Sequence, residues 1–171
     1  MHPADPASPS RRSLGRYLNQ HLLASEGGLQ AFHAGLDTWA GTEHEASLRF
    51  LVDDIARDRR DLARLIHRLG LRPAAWKRLL TNAARAVGRL GLANPLRRRD
   101  ASTAQLELDT LTGMVRAKLS MWDALLECVE VVPGLERAPL EALRARAIRQ
   151  IEEIQRVSLA TCRERFREEP A

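Results

Sequence analysis

The stretch LRFLVDDIARDRRDLARLIHRL, residues 48–69, places Leu48, Leu51, Ile55, Asp58, Leu62, Leu65 and Leu69 at alternating steps of three and four. Residues so spaced share one face of an α-helix, because 3.6 residues complete a turn, whereas a strand would need every second residue apolar. One member of the row is a carboxylate: Asp58 stands where the repeat asks for an apolar side chain.

The same rhythm extends outward in both directions. Toward the N-terminus, Leu14, Leu18, Leu22, Ser25, Leu29, Phe32, Leu36 and Trp39 predict a helix from an N-cap at Ser13 to about Ala40. Gly27 and Gly28 fall in its middle, where each costs about 1 kcal/mol relative to Ala, so they imply close approach of another helix or a kink. Gly41 supplies the stop, and Thr42 with Glu45 has the spacing of a capping box for the next start. Beyond Leu69, Gly70 and Pro73 end the helix, and Trp76, Leu79, Leu80, Ala83, Val87 and Leu90 predict a shorter amphipathic helix over about 74–90. Ser102 or Thr103 opens another long helix with Leu108, Leu111, Val115, Lys118, Trp122, Leu125 and Val129 on its seam, so here an ammonium occupies a core-type position. After Pro133 and Gly134, a last helix begins near Pro139 and carries Leu140, Leu143, Ala147, Ile151, Ile154, Ser158, Cys162 and Phe166.

Four long helices and one short one predict an all-α, antiparallel four-helix bundle, with a short basic fifth helix in the crossover between the second and fourth helices. With 171 residues and only 4% aromatic side chains among abundant Ala, Leu and Arg, composition agrees with one helical domain. Its expected span is 13–167, preceded by a Pro-rich, disordered tail over 1–12. The tail has no apolar run and no stretch of 18 apolar residues occurs anywhere, so neither a signal peptide nor a transmembrane segment is expected and the cytoplasm is the expected compartment. Cys128 and Cys162 lack metal-site spacing and read as reduced core residues.

Charge is distributed unevenly. The window Arg57–Arg99 holds thirteen Lys or Arg against Asp58 and Asp61, a net +11 in a chain whose total is +5, so the remainder is net negative. Such a region could meet an acidic partner or an anionic surface, and Lys77, Arg78, Arg85, Arg89, Arg97, Arg98 and Arg99 are its candidate basic patch. Solvated Arg-rich helix faces account for the same pattern without any partner.

Asp58 and Lys118 both lie about fourteen or fifteen residues into their helices, so at a rise of 1.5 Å per residue their levels agree within a turn. A single buried charge is costly, and the two are therefore expected to face one another as a buried pair. His21, Asp54 and Glu107 are the other inward polar candidates. Ferritin-like di-metal sites use Glu-x-x-His on paired helices, yet the residues three before His21, His33, His44 and His67 are Leu18, Gln30, Gly41 and Arg64. No cofactor or metal is expected. No P-loop, nucleophile elbow or Cys-His arrangement appears, which speaks against an ordinary enzyme.

Tyr17-Leu18-Asn19-Gln20-His21 with Gly27-Gly28, the Asp54 to Asp58-Arg59 segment ending in Leu69-Gly70, Trp76-Lys77, Gly88-Arg89-Leu90, and Glu107 with Lys118 and Trp122 together resemble an uncharacterised family of actinobacterial ferritin-like bundle proteins. The likeness covers about Leu14 to Phe166. It implies a ferritin-like bundle with a long crossover and with the metal ligands absent, and it implies no activity. The preferred expectation is a non-catalytic binding or structural protein, able to form a homo-oligomer, with the Asp58–Lys118 pair in place of a di-metal site. Two rivals stand beside it: a carboxylate-bridged metal-binding protein or oxidoreductase, and a binder of nucleic acid or membrane headgroups.

Overall fold

The computed structural model describes residues 9–71 and 101–167. They form four α-helices: α1 (Pro9–Thr38), α2 (Glu45–Arg68), α3 (Ala101–Glu127) and α4 (Arg137–Arg165). Among the described residues there is no strand. The short helix expected over 74–90 lies outside them.

Each helix exists because a periodic apolar stripe needs burial. All seven seam positions of residues 48–69 are buried, Asp58 included, and the apolar ones meet Leu108, Leu111, Val115, Trp122 and Leu125 of α3 and Leu140, Leu143, Ala147, Ile151 and Ile154 of α4 in one continuous core. α1 contributes Leu18, Ala31, Phe32 and Trp39.

Neighbouring helices are antiparallel. Thr38 meets Glu107 and Gly35 lies against Leu111, so α3 descends where α1 rises. Asp61 and Asp58 meet Arg146, Asp54 meets Gln150 and Ser47 meets Arg156, so α4 likewise opposes α2. α2 and α3 therefore run the same way. The end of α2 lies beside the α3–α4 turn, where Gly134 approaches Leu69 and Arg68 approaches Glu136, while α3 starts at the opposite end of the bundle.

Three boundaries differ from expectation. α1 begins at Pro9, so residues 9–12 are helical instead of part of the tail, and the Arg11 guanidinium donates to the Leu69 carbonyl at the end of α2. α4 begins at Arg137, which puts Pro139 third, still within the first turn whose N–H groups have no helical acceptor. The capping residues before α2 are displaced: Thr42 accepts from the His44 N–H at 3.2 Å and donates to the Trp39 carbonyl at 2.7 Å, while Glu45 reaches back to the Gly41 N–H at 2.7 Å. That backbone hydrogen bond, seconded by Arg49, holds the Glu45 carboxyl below its ordinary range.

The seam of α4 also departs from its expected course. Ser158 and Cys162 are half-buried and Phe166 is exposed, while Val157 and Thr161 are buried. Four residues turn about 400°, so three successive steps of four from Ile154 rotate roughly 120° off the core, whereas 154, 157 and 161 stay on it.

Candidate functional site

Near the middle of the bundle the two seam charges meet. The Lys118 ammonium of α3 donates to Asp58 Oδ2 of α2, with side-chain exposures of 16% and 2%. Two residues of α4 complete the cluster. Gln150 accepts a second Lys118 proton on Oε1 at 2.6 Å and donates from Nε2 to Asp58 Oδ2 at 3.0 Å. Arg146 Nη1 lies 3.0 Å from Asp58 Oδ1 without the alignment of a hydrogen bond, and its Nη2 donates to Asp61 Oδ2 at 3.0 Å. The Gln150 amide also reaches Asp54 Oδ2 at 3.4 Å, the limit of a hydrogen bond.

One carboxylate thus faces two cations and an amide from two other helices. In a low-dielectric interior such a set is tolerable only because its opposite charges face one another. Burial pushes the Lys118 ammonium below the ordinary lysine range, and the neighbouring Asp58 charge opposes that shift.

Of the residues singled out in the sequence, Asp54, Asp58 and Lys118 come together here. Glu107 does not join them: it precedes Lys118 on the same helix by about 16 Å along the axis, and its carboxylate accepts from the Thr38 hydroxyl at 3.3 Å. His21 stands across a cavity from the cluster, with its ring edge-on to Tyr17 at 4.8 Å between centroids. Burial lowers its pKa from 6.5, so the imidazole is neutral at pH 7. Lys77, Arg78, Arg85, Arg89, Arg97, Arg98 and Arg99 lie outside the described residues.

The sequence reading missed Arg146 and Gln150, which flank the apolar positions Leu143, Ala147 and Ile151 instead of occupying them. It also missed the cavity. A cleft of about 370 Å³ lies between α1 and α3 with α2 as its floor. Its walls are almost wholly apolar, formed by Phe32, Ile55, Leu62, Met114, Met121 and Trp122, and Lys118 and Asp58 close its inner side. Gly27, Gly28 and Ala24 of α1 line it where larger side chains would fill it, and a methyl group on Gly28 would meet no atom within 4 Å. Arg59 of α2 borders the cleft too, paired with Glu26 at 2.7 Å.

Among the described residues, no group of three or more His, Cys, Asp or Glu side chains is arranged to hold a metal ion. No helix among them is long and apolar enough to cross a membrane. No protein-family model, curated protein or solved structure matches this chain. What the arrangement can do chemically is therefore read from its own groups: an apolar, half-open cleft with a charge-balanced polar patch at its base has the composition of a small-molecule binding site.

Proposed function

We propose that this chain is a non-catalytic helical bundle of ferritin-like type that works as a binding protein, with the Asp58–Lys118 pair standing at the level where iron-binding bundles keep their metals. The carrying observation is the cleft of about 370 Å³ that ends on the charge cluster. Two features support the reading. The parallel course of α2 and α3 calls for one long crossover, as in ferritin-like folds. An ammonium donating to Asp58 and Gln150 also occupies space and lone pairs that a cation would require.

Two measurements test this reading. Purified protein dialysed against Fe(II) or Mn(II) should retain less than one equivalent, and retention of two per chain would restore the metal-centre rival that uses carboxylates with His21. The uncharged fluorophore 1-aminoanthracene should bind saturably at one site per chain, and Gly28→Leu, which projects a side chain into the cleft, should abolish that binding. If the variant binds as well as the parent, the cleft is not the site.

A second reading is favoured by one observation outside the cleft. Arg57, Arg60, Arg64 and Arg68 recur at three- and four-residue steps along one exposed side of α2, inside the basic window of the sequence. They would make that side the described part of a phosphate-binding face.

A further inference from the structure

Lys118 has three ammonium protons and, among the described residues, two acceptors, Asp58 Oδ2 and Gln150 Oε1. Both acceptors lie toward α2 and α4, and the described part of α4 contributes nothing to the cleft. Lys118 itself lines the cleft, which leaves its third N–H available to an occupant there. It is a donor without an acceptor among the described residues, at the base of an otherwise apolar space.

Charge decides what kind of acceptor belongs there. Of the cations that line the cleft, Lys118 already lies on Asp58 and Arg59 on Glu26, so neither is without a carboxylate partner. His21, the other ionisable group on the cleft, is neutral at pH 7. An anionic head would lie beside the Asp58 carboxylate and compete with it for Lys118, and a buried charge without a cation of its own is costly. A neutral oxygen needs only the remaining hydrogen bond.

We infer that the ligand of this cleft is an uncharged, predominantly apolar small molecule bearing one hydrogen-bond-accepting oxygen, which takes the third proton of Lys118 while its body lies against Phe32, Met114, Met121 and Trp122. The inference rests on the binding function proposed above and adds the ligand class to it. Size agrees: an engineered apolar cavity of about 150 Å³ holds benzene, so one of about 370 Å³ accommodates a chain or ring system roughly twice as large. Ala24 and Gly28 border the cleft with a methyl group and a hydrogen atom, so no large side chain closes it there.

The chain has only two lysines, Lys77 and Lys118, so labelling with ¹⁵N-lysine yields two side-chain ammonium signals, which Lys77→Arg assigns. The probes are 1-octanol, octanoate and 1-chlorooctane, added to the wild-type chain at pH 7 alongside bound 1-aminoanthracene. Octanol is expected to displace the fluorophore and to shift the Lys118 ammonium signal. Chlorooctane should displace it without a comparable shift, and octanoate should need about tenfold more ligand. Displacement by octanol with the Lys118 signal unmoved would overturn the role of that proton while leaving the cleft as a binding site. Octanoate binding more tightly than octanol would overturn the requirement for an uncharged ligand. Absence of fluorophore binding in the first place would instead fail the binding function itself, so the two failures are distinguishable without any variant of Lys118 that might not fold.

Discussion

Asp58 is held by side chains from two other helices, and that multiplicity sets the cost of losing one. Lys118→Met leaves the carboxylate buried with Gln150 and Arg146 still in place, so the loss should fall at the low end of the range for breaking a buried pair, about 3 kcal/mol in urea denaturation. Asp58→Leu combined with Lys118→Met should cost clearly less than the two single losses added together, because neither partner is then stranded. Additivity within about 0.5 kcal/mol would show that the two side chains are not coupled. A second residue-scale test concerns Glu153, which receives Arg156 through two hydrogen bonds of 2.7 and 3.0 Å. Those bonds, with help from Ser47, hold its carboxyl near 2 against an ordinary 4.5. A depressed carboxyl stabilises the fold fully above the unfolded value and ceases to do so as pH falls through the folded one. Glu153→Gln should therefore flatten the loss of stability between pH 4.5 and 2, measured by urea midpoints, and an unchanged acid limb would count against the bidentate contact in solution. At this scale Asp58 and Lys118 were legible because each interrupts an apolar seam. Arg146 and Gln150 were not, since a polar residue beside a seam has the same pattern whether it points to solvent or turns inward.

Among the elements, α1 was the hardest to read and is the most informative. Its periodic leucines pointed to a helix, yet Leu14, Leu22, Leu29 and Leu36 are only half-buried and pack against the edge of the core. The glycines within it separate into two kinds. Gly35 lies against α3, and a Cβ there would come within 3.2 Å of Leu111 Cδ1, so this glycine permits close approach. Gly28 has open space around it and is a helix weakness with no packing gain. Gly28→Ala should therefore stabilise the protein by about 0.5–1 kcal/mol, the difference in helix propensity, while Gly35→Ala should be neutral or destabilising because Leu111 has to shift. Thermal unfolding of both variants checks the contrast, and an equal gain in the two would mean that α1 and α3 are farther apart than described. No periodicity argument distinguishes these glycines, since each falls on or near the same stripe, and only the position of the opposing helix does. The start of α1 was misjudged for a related reason: a proline in a polar tail reads as disorder, but at a first helical turn it loses no hydrogen bond, and Arg11 gains an acceptor at Leu69.

For the molecule as a whole, apolar period alone carried the reading as far as a bundle of antiparallel neighbours. It could not supply the gap between α1 and α3, because a cleft is a property of how helices diverge and leaves no mark in any one helix. The ends of the bundle are tied by contacts between other elements: Arg165 of α4 lies over the Trp39 ring at 5.5 Å at one end, and Arg68 of α2 meets Glu136 at 3.6 Å at the other. Charge is the remaining molecular-scale property. Arg57, Arg60, Arg64 and Arg68 expose four guanidinium groups along α2, of which Arg57 sits 3.9 Å from Asp54 and Arg64 pairs with Asp61, so part of the stripe is already neutralised from its own helix. If this side grips phosphate, affinity for a DNA duplex should fall linearly with the logarithm of salt, and changing all four to Gln should reduce the slope by about 0.9 for each phosphate no longer neutralised. Partial neutralisation caps the effect: Arg60 and Arg68 should account for most of the change, since Arg57 and Arg64 must first release carboxylates of their own helix, whereas the Glu136 that faces Arg68 is itself exposed. Fluorescence anisotropy across a salt series compares the two double variants, Arg60→Gln with Arg68→Gln and Arg57→Gln with Arg64→Gln. Equal slopes in both and in the parent would mean that the stripe is a solvated face, and that the excess positive charge of this chain acts, if at all, from elsewhere in the Arg57–Arg99 window.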